Sequence, residues 1–168
     1  MSLEESMSKH KGYNSFVSEN AKNKYLEHYN NLPNRPDYDG YLTLDEANEW
    51  YREGNGQPLF TSLEKIDMSG VYSKGDKAID EYWTINLLRQ SKSINDGLVY
   101  GSIQIKQYPN DYVRAYADIY DFEMHPWEWS TLKRNIFTII GRIYAGKGTK
   151  YEINIYGSKK LQKEPQKH

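Results

Sequence analysis

The sequence predicts an α+β fold, with N-terminal helices packed on a small curved antiparallel sheet or half-open β-barrel. Three observations point there. Apolar residues recur at helical spacing over residues 15–30. Two segments rich in strand formers, 98–108 and 112–122, flank a Pro-Asn-Asp turn. Residues 151–156 alternate as Tyr-Glu-Ile-Asn-Ile-Tyr, the period of a half-buried strand.

In chain order, residues 1–12 are polar without periodicity and read as a loose N-terminus. Phe16, Val17, Ala21, Tyr25, Leu26 and Tyr29 then form one apolar stripe of an amphipathic helix, which predicts that it docks on the rest of the chain. Residues 31–40, with Pro33 and Pro36 among Asn and Asp, form a connector. Thr43 and Glu46 are spaced as a capping box, and Leu44, Ala47, Trp50 and Tyr51 supply the face of the helix that follows. Gly54-Asn55-Gly56 ends it. A short strand is expected over 58–61 and a helix over 78–89, carrying Ile79, Tyr82, Trp83, Ile85 and Leu88. The hairpin turns at Pro109-Asn110-Asp111. Beyond it come an aromatic loop over 123–130, a helix over 131–145 with Leu132, Ile136, Phe137, Ile139, Ile140 and Ile143 inward, and the strand 151–156. The tail from Ser158 is rich in lysine. One compact domain with a helical extension suits a chain of 168 residues.

The formal net charge of -1 argues against a nucleic-acid partner held by bulk charge. No window approaches the roughly 20 apolar residues of a membrane-spanning helix, and the absence of cysteine excludes disulfides and zinc-thiolate sites. Sixteen tyrosines and four tryptophans require amphipathic rings to pack the interior, to face a ligand, or both.

Two clusters invite a chemical reading. The first, at residues 37–47, imitates part of a calcium loop, with Asp37, Asp39, Gly40, Leu42 and Glu46 at matching places. Arg35 stands where the first carboxylate belongs and opposes a divalent ion, so a proline-bounded turn feeding a capped helix is the preferred reading. The second is Val113 to His125. If one strand runs through it, Arg114, Tyr116, Asp118 and Tyr120 share an outward face, while Val113, Ala115, Ala117 and Ile119 face the core. Asp121 then begins the turn off the strand, with His125 beyond it. Two carboxylates, a histidine and a cation at a strand end can bind a metal, orient water and neutralise phosphoryl oxygens, although a charged strand face is also a common way to meet solvent.

The runs YGSIQIK, VRAYADIYDF and IIGRIYAGKGTKYEINIYG resemble, in order and approximate spacing, the activity domain of the colicin M-like, or M-class, bacteriocins. GNGQPLFTSLEKIDMS at 54–69 extends the resemblance more weakly, so it covers roughly residues 50–160. This divides the chain into an N-terminal helical extension (1–49), a colicin M-like catalytic domain (50–160) and a basic tail (161–168). The family signature is Asp-x-Tyr-Asp followed by His-Arg. Asp118, Tyr120 and Asp121 match its first part. His125 arrives early and precedes Pro126 instead of arginine, while Lys133-Arg134 sits where an inserted aromatic loop places the pair, so both are candidates for the His-Arg role.

The resemblance implies an antibacterial toxin that hydrolyses lipid II between undecaprenyl and pyrophosphate, in the target periplasm and with magnesium. It further implies Asp118 as the essential carboxylate, Asp121 as metal ligand or base for water, with Asp118 and Asp121 as the metal pair, and Tyr120 as an orienting group. His125 is then the acid or base, its ordinary pKa of about 6.5 suiting proton transfer, and Arg134 faces phosphate oxygens; a histidine satisfied in the core is the other reading of His125. Met124, Trp127 and Trp129, with the lysine tail, either meet the membrane surface that anchors the substrate or cap the sheet end. The residues ahead of position 50 are too few for receptor-binding and translocation regions, so the expectation is a secreted or injected effector, or the last part of a larger toxin, with a cognate immunity protein. A non-catalytic module that binds carbohydrate or protein through the tyrosine-rich strand face is the alternative.

Overall fold

The computed structural model describes residue 23, residues 35–120 and residues 148–165. Apart from Asn23, which is helical, the helix expected over 15–30 lies outside the described residues, as do the aromatic loop at 123–130 and the helix at 131–145.

Helix α1 (Leu44–Glu53) starts where the capping box sets it. The Thr43 hydroxyl accepts from the Glu46 amide at 3.1 Å, and the Glu46 carboxylate accepts from the Thr43 amide at 3.0 Å. Leu44, Ala47 and Trp50 turn inward, the Trp50 indole donates to the Gln57 carbonyl, and the Gly54 amide closes the helix on Trp50. The preceding loop is a turn, not a calcium site. Arg35 forks both oxygens of Asp37 at 3.1 and 2.8 Å, and Asp37 also accepts from the Phe60 amide, so this carboxylate is committed to the fold.

Strand β1 (Leu59–Ser62) follows, then β2 (Tyr72–Ser73) and β3 (Tyr82–Asn86), α2 (Leu87–Gln90) and α3 (Ile94–Tyr100), β4 (Ser102–Gln107) and β5 (Tyr112–Ala115). Next come β6 (Asp118–Tyr120), β7 (Tyr151–Tyr156), β8 (Lys159–Lys160) and β9 (Gln162–Lys163). These make a three-stranded sheet β1-β7-β6, an antiparallel four-stranded sheet β3-β4-β5-β8, and the pair β2-β9. The architecture is α+β and is not a closed barrel; β1 with β7, and β2 with β9, run parallel. Leu59, Leu63, Ile85, Ile105, Val113, Ile153 and Ile155 join Leu44 and Ala47 in one hydrophobic cluster shared by both larger sheets and the helices. The tail pairs with the domain: Lys159 and Lys160 oppose Val113 and Tyr112, and Leu161 is buried.

Three expectations are corrected. The helix predicted over 78–89 is strand β3 plus the single turn of α2. Tyr82, Trp83, Thr84 and Ile85 are strand formers paired with β4, and Ile79 and Tyr82 are exposed where a helix would have buried them. Leu98, Val99 and Tyr100 were expected to open the hairpin strand, yet they end α3. Ser93 caps that helix through the Asp96 amide at 3.1 Å, and Gly101, at φ +58°, terminates it. Gly97 also lets α3 lie against α2, since a Cβ there would sit 3.0 Å from the Leu87 carbonyl oxygen.

The third correction concerns residues 112–120, which are two strands in two sheets. Ala115 and Tyr116 are both buried, and the Tyr116 amide still donates to Gln104 of β4 at 2.9 Å. Two consecutive inward residues shift the alternation by one as the chain crosses to β7. Tyr116 (7% exposed) and Tyr120 (3%) therefore face the interior, and Ile119 (42%) faces out.

Candidate functional site

Among the described residues, strand β6 is an edge of the β1-β7-β6 sheet, and its register fixes what surrounds its first residue. Asp118 lies opposite Ile153, which lies opposite Leu59; Tyr120 lies opposite Tyr151. By the period of two, Leu59, Thr61, Tyr151, Ile153, Ile155, Asp118 and Tyr120 share one face of this sheet. Tyr120 stacks on Tyr151 with ring centroids 5.1 Å apart and meets the edge of Tyr51 at 5.9 Å. The Tyr151 hydroxyl donates to the Ala47 carbonyl at 2.6 Å, which ties α1 to the sheet. Helix α3 packs on β6, and its buried Tyr100 neighbours Thr61 of that face.

Asp118 keeps partial exposure. Even so, burial of its carboxyl raises its pKa well above the usual carboxylate range, against the opposing hydrogen bond from the Ile119 amide. Among the described residues no cation pairs with it. Burial likewise raises the phenols of Tyr100, Tyr120 and Tyr151, with the Asp118 charge adding to the effect at Tyr100 and Tyr151. These three hydroxyls keep their protons across the physiological range.

A second carboxylate group stands behind Tyr100. Asp96, on α3, accepts from the Asp67 amide at 2.8 Å and from the Asn95 side chain at 3.2 Å. Asp67 in turn accepts from the Lys92 amide at 2.5 Å and from the hydroxyls of Ser91 and Ser69 at 2.9 and 3.0 Å. Burial pushes the Asp67 pKa up, but these donors outweigh it and hold the group below its ordinary value. The Asn95 carbonyl oxygen also takes the Leu44 amide at 2.7 Å, so α1 and α3 are locked at their first turns.

Of the predicted site residues, the structure thus places Asp118 and Tyr120 on one face at a sheet edge. Asp121, His125, Lys133 and Arg134 lie outside the described residues, as do Met124, Trp127 and Trp129. Just ahead of the basic tail, Lys159 donates to the carbonyls of Glu64 and Ile66 at 3.0 and 2.7 Å. Tyr100, Tyr151, Thr61 and Asp96 were not foreseen around Asp118. The alternation of 151–156 carried a signal for Tyr151; Tyr100 lay in a segment read as strand and carried none.

No family model matches the chain, and no curated protein does. Among solved structures it is similar to the bacteriocin syringacin M from Pseudomonas syringae pv. tomato DC3000, at 20% identity over 71% of this chain and 51% of that one, with a TM-score of 0.42. It is also similar to pectocin M2, at 19% identity over 89% of this chain and 62% of that one, with a TM-score of 0.46. The chain spans about half to three fifths of the length of these proteins. They belong to the class of bacteriocin that the sequence resembles.

Proposed function

We propose that the chain is an antibacterial toxin of the M-class bacteriocin type that hydrolyses lipid II between the undecaprenyl chain and the pyrophosphate in the target periplasm. The observation that carries this reading is Asp118. It opens the Asp-x-Tyr-Asp run, sits at a sheet edge, and has a desolvated carboxyl that no cation among the described residues neutralises. A carboxyl whose pKa is raised holds its proton closer to neutrality, as a general acid must.

Cleavage then proceeds with water attacking the phosphorus next to the lipid. A new P–O bond forms, the P–O bond to the lipid breaks, and Asp118 hands its proton to the departing lipid oxygen, which leaves as the alcohol. The proton of the attacking water passes to a base, for which Asp121 and His125 are the candidates. Tyr120, protonated and stacked on Tyr151, stiffens the strand that presents Asp118. Arg134 is assigned to the phosphate oxygens.

Magnesium would stabilise charge on the phosphate; Asp121 would hold it, and Asp118 could join only as the carboxylate left after its proton has gone. Among the described residues no group of three or more His, Asp or Glu side chains is placed to hold a metal ion. Asp118 alone does not make a magnesium site, and no step above passes through the ion.

Tyr116 and Tyr120 of the expected outward row are buried, which counts against the binding-module alternative. No helix among the described residues is long and apolar enough to cross a membrane. Contact with the substrate is assigned to the membrane surface, and a cognate immunity protein is the expected partner in the producer.

Two experiments test the reading. Purified protein incubated with lipid II and magnesium should release undecaprenol and the pyrophosphate-linked sugar. Expression with a periplasmic signal should lyse the host, expression without it should not, and Asp118→Asn should remove lysis while the protein stays folded. A chain harmless in both compartments is a binding module, and one toxic only without export has an intracellular target; either result overturns the proposal.

A further inference from the structure

We propose that the outward face of the β3-β4-β5-β8 sheet is the surface on which the chain rests against anionic phospholipid headgroups. The choice of a membrane as occupant rests on the reading of the substrate as lipid-anchored; the charge and ring placement of the face do not.

Alternation divides this sheet. Ile85, Ile103, Ile105, Val113 and Ala115 are buried on the core side, which turns Tyr82, Thr84, Gln104, Lys106, Tyr112 and Arg114 the other way. Register makes a row across three strands, with Tyr82 opposite Lys106 and Lys106 opposite Arg114, and it sets Lys160 of β8 opposite Tyr112. Lys106 and Arg114 also share one ring, their charged groups 5.9 and 6.0 Å from the centre of Tyr108. Like charges directly opposite on adjacent strands repel, and an anion laid across them relieves the repulsion. Asp80 approaches Lys106 at 3.8 Å from the rim but is 79% exposed, so this pair is of the weak, screened kind.

The rings select the kind of anion. Tyr82 and Tyr112 are 58% and 40% exposed, amphipathic groups of the type that settle at the level of lipid headgroups. Tyr108 already faces two cations, and Tyr82 meets Tyr116 in a T-shaped contact at 6.3 Å, so the face offers a nucleic acid little ring surface for base stacking. A lipid surface needs no stacking platform. It needs cations and ring tips presented together, and each cation adds to the attraction. The placement also suits a lipid-anchored substrate: Tyr116 is the last residue bonded to β4, and two residues further on the chain enters β6 at Asp118. The strand that carries the proposed acid starts where this face ends.

The test is co-sedimentation of the full chain with vesicles, one set of phosphatidylcholine alone and one of phosphatidylcholine mixed equally with phosphatidylglycerol. Wild type should partition onto the anionic set and stay in solution with the neutral one, and high salt should release it. Lys106→Gln combined with Lys160→Gln should weaken partition roughly thirtyfold. Tyr82→Ser combined with Tyr112→Ser should weaken it too, with the salt dependence retained. Both variants should cleave lipid II presented in neutral detergent micelles as wild type does. Wild type that ignores the anionic vesicles, the result expected if the face receives an acidic protein instead, overturns the inference even where lipid II in micelles is cleaved. So does a double-lysine variant that binds the vesicles as wild type does. Release from the vesicles by soluble pyrophosphate at matched phosphate concentration marks a site for free phosphate and overturns it as well. Charge-dependent vesicle binding by a protein that leaves lipid II intact overturns the function and keeps the face.

Discussion

Asp67 and Asp118 are the same kind of side chain, each half-buried, and they end in opposite states. At the corner between α2 and α3, Asp67 collects the Lys92 amide and two serine hydroxyls and is held below its ordinary pKa. At the edge of the β1-β7-β6 sheet, burial raises Asp118, with the amide of the next residue as its opposing donor. Enclosure acts on both in the same direction; the supply of donors separates them. A carboxylate with its donors in place holds loops together. One left short of them destabilises the fold in its charged form and keeps its proton available.

The largest expected effect breaks this contrast at Asp118. Replacing a general acid costs about 10²- to 10⁴-fold in rate, so Asp118→Asn should lose lipid II cleavage by that factor. It should also raise the thermal midpoint at pH 7. A folded-state pKa above the unfolded value of about 3.9 means that the native protein binds the extra proton. The associated stability is therefore full below that value and is lost as pH rises through the folded pKa. Asparagine does not ionise, so the variant should escape this loss, and its midpoint should fall less steeply with pH than that of wild type. Calorimetry between pH 4 and 8 measures both. A variant less stable than wild type at pH 7 would show that Asp118 is a structural carboxylate like Asp67.

The same experiment at the other corner should invert the sign. Asp67→Ala leaves the Ser69 and Ser91 hydroxyls and the Lys92 amide without their acceptor, and should cost about 1–3 kcal/mol at pH 7. Because the Asp67 pKa is lowered in the folded state, its contribution is present above the unfolded value and disappears as pH falls through the folded one. Wild type and Asp67→Ala should thus converge in acid, as urea titrations at pH 7 and pH 3 would report.

How far this contrast could be read from the chain differs between the two places. Local chemistry was legible: Thr43 with Glu46 marks the start of α1, the 109–111 turn joins β4 to β5, and strict alternation marks β7. Arg35, which stands in place of the first carboxylate of a calcium loop, pairs with Asp37. The segments that failed are those whose state depends on distant partners. Tyr82 to Ile85 fit a helical stripe until β4 is there to pair with them, and Leu98 to Tyr100 look like strand until Ser93 and Gly101 bracket them as helix. The inward turn of Tyr120 depends on a change of sheet, and periodicity within one segment carries no mark of it. The Asp-x-Tyr-Asp run identified Asp118 as a candidate, but the burial that makes its carboxyl unusual follows from a sheet whose next strand, β7, lies about thirty residues further along the chain.

The smallest expected effect tests whether fold and chemistry can be separated. Thr43 caps α1, and that helix supports the Asp118 face only indirectly, through the Ala47 carbonyl that receives the Tyr151 hydroxyl. Thr43→Ala removes the oxygen that accepts the Glu46 amide and should cost about 1 kcal/mol of stability. The first turn stays anchored, because the Leu44 amide is held by Asn95 from α3. Ala47 therefore keeps its place, and kcat and KM for lipid II should match wild type even as the thermal midpoint falls. If kcat instead falls along with stability, the Asp118 face depends on the N-terminal turn of α1, and the acid site and the scaffold behave as one unit.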